Sequence, residues 1–253
     1  MLDVHAPHES LHTWKSFFIH IAIITIGLLI AICLEKAVEF VHHRHQAREG
    51  LKLLLREVNE NRDTLRQNAK VNAWAERQHR ADLGVLQRLR AGAHKATDRL
   101  IFIRPYMRLV DSAWRIVHES DAAPYIPYDI MAAYGTLYDT QEYLNNQATS
   151  VSYELQRATA ALNTEQENIS RDEENRLQGT IEDQTISSMT AESYDAMMSK
   201  LSGEQDLSRL TPAQIDRLEQ GFQQAITDDR RLGRFYLALD RTYDDVVAKS
   251  AAR

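Results

Sequence analysis

Eighteen consecutive residues, Phe17 to Leu34, read FFIHIAIITIGLLIAICL: none is formally charged, and His20 and Thr25 are the clearly polar ones. A helix of that length spans roughly 27 Å at about 1.5 Å per residue, close to the hydrocarbon thickness of a bilayer. A secretory signal should begin basic and end on small residues around a cleavage site. Here Lys15 alone precedes the run, and AICLEKAVEF offers no good small-x-small site. The stretch therefore reads as an uncleaved transmembrane helix, with a fully buried soluble helix as the alternative. Trp14 and Lys15 suit the headgroup layer at one end and Lys36 at the other. His20, one turn inside, is expected to snorkel to the interface, with a contact to a partner helix as the alternative. Gly27 and Ala31 form a small-xxx-small pair through which a second copy of the helix can approach, so a homo-oligomer is expected there.

Just upstream, His8, Glu9 and His12 spell H-E-x-x-H, the spacing with which a helix presents two imidazoles to zinc and a carboxylate to its bound water. A hydrolase built on it needs a third ligand and a cleft. The motif stands five residues before the apolar run with seven residues ahead of it, and a single-pass chain puts the main domain on the other side. A metal-dependent hydrolase at His8 to His12 is thus the weakest of three functional readings. An interfacial tail is preferred over a metal site made by His5, His8 and His12. Seven of the ten histidines lie in the first 45 residues, among them His42, His43 and His45 just beyond the run. That trio reads as a solvated collar, with metal binding or protonation against anionic headgroups as its alternatives.

Beyond the membrane run, nine Gly, five Pro and no alternating strand pattern argue for helices throughout. No proline falls between Pro7 and Pro105, so one long helix, or two with a soft joint, is permitted. Leu51, Leu54, Val58, Leu65, Leu86 and Leu89 form its apolar stripe. Asn61, Asn68, Asn72, His79 and Asp82 interrupt that stripe, which predicts a helix packed only at its ends or wetted along one side. Gly92 marks its frayed end. Residues 100 to 147 predict a helical hairpin: Ala113, Trp114 and Val117 on a short helix, prolines 124 and 127 in the turn, and Ile130, Tyr134, Leu137, Tyr138 and Leu144 on the return. Trp114 with Tyr125, Tyr128, Tyr134 and Tyr138 forms either the core of that hairpin or a ligand pocket. Residues 151 to 177 are polar and acidic, and a short helix over 190 to 201 closes at Ser202 and Gly203. Thr211, Pro212 and Gln214 supply an N-cap, a first-turn proline and a capping-box partner. The helix they open carries Ile215, Leu218, Phe222, Ala225, Leu232, Tyr236, Leu239, Tyr243 and Val246 in a heptad, with Asp229 intruding.

Charge sorts the possible partners. Residues 51 to 100 hold eleven Lys and Arg against six Asp and Glu, while 151 to 200 hold four against ten, so these two segments are expected to pair. The net charge of −6 removes the electrostatic footprint of a nucleic-acid binder. Cys33 is alone, and no Gly-rich phosphate loop, G-x-S-x-G elbow or Cys-based metal spacing occurs.

The I-G-L-L-I-A core of Ile26 to Ala31, the following Glu35, the spaced Leu54, Val58, Asn61 and Leu65, and a Trp-bearing short helix with a Tyr-rich partner resemble an uncharacterised family of bacterial single-pass membrane proteins. The resemblance covers roughly residues 10 to 145 and implies topology and a bacterial inner-membrane setting, but no activity.

The chain is accordingly expected to be all-α, with an N-terminal transmembrane helix continuing into a long helix and an elongated antiparallel helical bundle. Its parts are a His-rich interfacial tail (1–16), the membrane helix (17–34), a juxtamembrane collar (35–50) and the bundle (51–253). The function expected is membrane-anchored interaction or assembly, without catalysis, cofactor or metal, and with the bilayer and an unidentified protein as partners. The alternative is a sensor or ligand-binding bundle using Trp114, Tyr134 and Tyr138. Lys36, Arg44, Arg48 and Lys52 outweigh Lys15 and the terminal amine, which predicts a cytoplasmic main domain.

Overall fold

The computed structural model describes residues 14–93, 95–101, 106–159 and 207–251. Among them are four α-helices and no strand: α1 Trp14–Arg90, α2 Ser112–His118, α3 Tyr128–Thr159 and α4 Pro212–Ala251, with a 3-10 turn at Ala123–Tyr125. The fold is all-α. Because no proline interrupts it, α1 runs unbroken for 77 residues, about 115 Å at the usual rise. It ends where glycine permits: Gly92 takes φ 67°, its N–H donates to Leu89 O, and Ala93 N–H donates to Arg88 O. This paired capping leaves Arg88 and Arg90 at the negative pole of the helix.

The chain then descends alongside α1. Ile101 lies beside Asp82, Met107 beside Asn68, Val110 beside Asn61 and Ala113 beside Glu57. Gly50 makes room for α2, since a Cβ there would stand 3.2 Å from Val117 Cγ2. The 3-10 turn reaches furthest down, where the Tyr125 ring stacks on His43 at 5.0 Å. α3 climbs back parallel to α1, and α4 returns antiparallel to both, so that Asp216 meets Arg90 while Asp244 meets Arg62. Thr211 N–H donates to Gln214 Oε1 at 2.8 Å and Gln214 N–H donates to Thr211 Oγ1 at 3.3 Å, which is the expected capping box.

The core divides in two. The larger apolar cluster joins Leu54, Val58 and Leu65 of α1 to Tyr134, Leu137 and Leu144 of α3 and Tyr236, Leu239 and Tyr243 of α4. A distal one joins Val85 and Leu86 to Leu100, Leu218 and Phe222. The α4 heptad is buried at all nine expected positions. Basic α1 pairs with acidic positions of α4 through Arg62–Asp244 (2.9 Å), Arg66–Asp240 (3.0 Å) and Arg90 with Asp216 and Glu219. Most of the acidic 151–200 segment expected in that role lies outside the described residues, as does the helix expected over 190–201.

Candidate functional site

Two features of α1 stand apart from ordinary packing: a bare apolar segment and a row of buried polar side chains. The first is the window of 18 residues near the N-terminus with mean hydropathy 2.8, none of it buried. Large side chains from Phe17 to Leu34 all face outward with more than two fifths of their surface exposed. Among the described residues no hydrophobic face covers them, so α1 is a candidate membrane span by length and composition. His20 Nδ1–H donates to Ser16 O at 2.7 Å, one turn toward the N-terminal end of the apolar run, satisfying the ring within the helix. Trp14, exposed at the start of α1, stacks on Phe18 at 5.9 Å. Lys15 is exposed beside it, and at the other end Lys36 Nζ donates to Glu39 at 2.6 Å, which raises the ammonium pKa and lowers the carboxyl. A Cβ at Gly27 would meet nothing within 4 Å, and Ala31 lies on the same open surface.

The buried polar row corrects the expectation drawn from the interrupted leucine stripe. Asn61, Asn68, Asn72, His79 and Asp82 are neither wetted nor idle; all are buried. The extended segment 106–111 lies between α1 and α3, and without a neighbouring strand its peptide groups need partners. Side-chain amides supply them, because a carboxamide carries the same donor and acceptor as a peptide unit. Asn68 accepts from Met107 N–H (3.0 Å) and donates to Met107 O (2.7 Å). Asn61 does the same at Val110, at 2.9 and 2.6 Å. From the opposite side Asn145 of α3 accepts from Leu109 N–H (3.1 Å), donates to Leu109 O (2.9 Å) and also accepts from the Tyr106 hydroxyl (2.6 Å). Gln141 closes the network, donating to Val110 O and accepting from Asn61 and from Tyr243 at 2.5 Å.

Glu57 ends this row as a cap for α2, accepting from the Ser112 hydroxyl and Ala113 N–H, each at 2.7 Å, and from the Tyr138 hydroxyl at 2.6 Å. Burial raises the Tyr138 phenol pKa, and the Glu57 carboxylate raises it further, so Tyr138 remains a donor. Higher on α1, Asn72 donates to Asp229 O at 2.7 Å and His79 Nδ1–H donates to the Asp229 carboxylate at 2.8 Å. Asp229, the odd residue in the α4 heptad, is there to meet them. Asp82 accepts from Gln78 at 2.9 Å and from Ile101 N–H at 3.4 Å. Its second oxygen has no partner among the described residues, and burial pushes its pKa up to about 8.

The aromatic set named as a possible pocket is brought together as packing. Trp114 stacks on Tyr138 at 5.4 Å and 13°, and its ring closes over Gly135. Tyr134 and Tyr138 are buried with their hydroxyls on Ser250 (3.1 Å) and Glu57. Tyr128 points into solvent and Tyr125 packs on His43, so neither joins the set. An open cleft of about 620 Å³ lies instead between α3 and α4, lined by Glu154, Arg157, Arg217, Gly221 and Asp228, with charges that cancel. His5, His8, Glu9 and His12 fall outside the described residues; among those described, no group of three or more metal-ligating side chains assembles. The amide row was missed as a site because asparagines at helical spacing look like interruptions until the segment 106–111 that they serve is in place. Compared with known protein families, curated proteins and solved structures, the chain matches none.

Proposed function

We propose that the chain is a membrane-anchored helical module that serves interaction or assembly and catalyses no reaction. The observation that carries this reading is the continuity of α1. One unbroken helix bears an uncovered apolar segment at one end and the core of a bundle at the other. In that bundle Glu57, Asn61, Asn68, Asn145 and Asp229 are spent on capping and on holding backbone or one another. All five side chains are buried and hold structure, which keeps them out of reach of a substrate in solution. The packed state of Trp114, Tyr134 and Tyr138 favours this reading over a ligand pocket at the hairpin.

In this reading the span crosses a bacterial inner membrane once. Lys36, Arg44, Arg48 and Lys52 hold the bundle on the cytoplasmic side, and Gly27 and Ala31 let two spans pack into a homo-oligomer. The protein partner binds the bundle, and no nucleic acid is involved. The test is affinity purification from native membranes with two baits, the full chain and residues 1–50 fused to an unrelated soluble domain. A protein captured in near-stoichiometric amount by the full chain alone supports the module; identical capture by both baits contradicts it.

A further inference from the structure

The apolar surface of α1 does not stop at Leu34. Val38, Phe40 and Val41 continue it, half or more exposed. The lowest point of the bundle comes down on the Phe40 side of the helix, about half a turn round from Val38: the 3-10 turn Ala123–Tyr125 lays the Tyr125 ring 5.9 Å from Phe40 and 5.0 Å from His43. Tyr125 is itself 38% exposed and Pro124, at the tip of the turn, is exposed. We propose that this turn, with Phe40 and Val41, is a second membrane contact that seats the bundle in the lipid headgroup layer beside its own span. The proposal rests on the membrane reading above and adds to it a fixed posture for the domain.

Three observations point to headgroups as the occupant. The turn stands beside the end of the span: Lys36, which suits the headgroup layer, pairs with Glu39 at 2.6 Å on the face of α1 just below Phe40, so the layer that holds this pair borders the turn. Its height fits the outer edge of that layer: Phe40 stands six residues past Leu34, about 9 Å along the helix, and a run of about 27 Å centred in a hydrocarbon of about 30 Å puts Phe40 roughly 7–8 Å beyond the hydrocarbon, where the headgroup layer extends roughly 5–8 Å. Its chemistry fits as well, since Tyr and His present an apolar ring with a polar tip, the pattern that gathers at the membrane interface. Asp121 and Glu119 stand on the loop leading into the turn while Arg44, His42 and His45 stand on α1, all exposed. Charge is therefore mixed, and the seat depends on aromatic and apolar burial rather than on anionic lipid.

The test uses the full chain in phosphatidylcholine nanodiscs holding one copy each, labelled with a small environment-sensitive fluorophore and quenched with aqueous iodide. The native Cys33, exposed on the span, reports on insertion. In a Cys33→Ala background, Pro124→Cys reports on the turn and Ala81→Cys, exposed near the distal end of α1, reports on open solvent. Because position 124 is exposed in the protein, shielding there has to come from lipid. The expected result is iodide quenching at 124 several-fold weaker than at 81, with Cys33 shielded. Equal quenching at 124 and 81 with Cys33 shielded overturns the docking alone. Iodide access at Cys33 overturns the membrane reading and the docking with it.

Discussion

Replacing Asn145 with leucine removes a side chain of similar size that holds the extended segment in place. Asn145 makes three hydrogen bonds, to Leu109 N–H, Leu109 O and the Tyr106 hydroxyl, and both Asn145 and Leu109 are buried. Leucine leaves a peptide donor and a peptide acceptor without partners in a dry site, each costing about 1–3 kcal/mol. The extra apolar burial returns about 1 kcal/mol, so the net loss is about 1–5 kcal/mol. For a domain of about 200 residues that lowers the melting temperature by roughly 2–20 °C. Asn145→Asp should be at least as harmful at neutral pH, because it sets a carboxylate oxygen against Leu109 O. Asn59→Ala is the control: Asn59 is exposed and donates to Leu55 O on its own helix, so its effect should stay within about 0.5 kcal/mol. The assay is urea unfolding of the detergent-solubilised chain followed by circular dichroism, with amide hydrogen exchange at Leu109 as the local readout. Parent-like urea midpoints for Asn145→Leu, or unchanged exchange at Leu109, would refute the claim that side-chain amides substitute for a neighbouring strand.

Leu239→Asp places an unpaired charge in the larger core, where Leu239 is 1% exposed; it should cost several kcal/mol, and an unaltered unfolding midpoint would remove α4 from that core. Asp82 keeps its proton in the folded state up to about pH 8, against an ordinary value of 3.8. Its contribution is therefore fully present below about pH 4 and is lost as the pH rises to about 8, on the order of a few kcal/mol. Asp82→Asn should flatten that decline and exceed the parent in stability at pH 8.5, and parallel stability curves for the two would contradict it. Gly27→Leu adds its side chain to open space in the single chain, so it should leave folding unchanged while weakening self-association in detergent or lipid; undiminished association would remove Gly27 from the helix contact.

The sequence made the helices legible because its strongest signals are local. The charge-free run, the absence of proline between Pro7 and Pro105, the cap at Thr211 to Gln214 and the α4 heptad each depend on residues within a turn or two of one another. The meaning of Asn61, Asn68 and Asn145 depends on partners 36 to 49 residues away, and periodicity contains no such information. For the same reason Asp229 looked like a defect of the heptad, whereas it meets His79 across the bundle. The aromatic hairpin was readable as helices, but the choice between pocket and core turned on Glu57, whose carboxylate takes the Tyr138 hydroxyl from a turn of helix far outside the hairpin.

The central claim is that α1 anchors the bundle in a bilayer, and alkaline carbonate extraction of membranes containing the full chain tests it most directly. The account predicts that the chain stays in the pellet. Ile26→Arg with Ile30→Arg, two charges near mid-span at about 2.5–3.5 kcal/mol each, should move it to the supernatant. Release of the parent chain by carbonate would contradict the account.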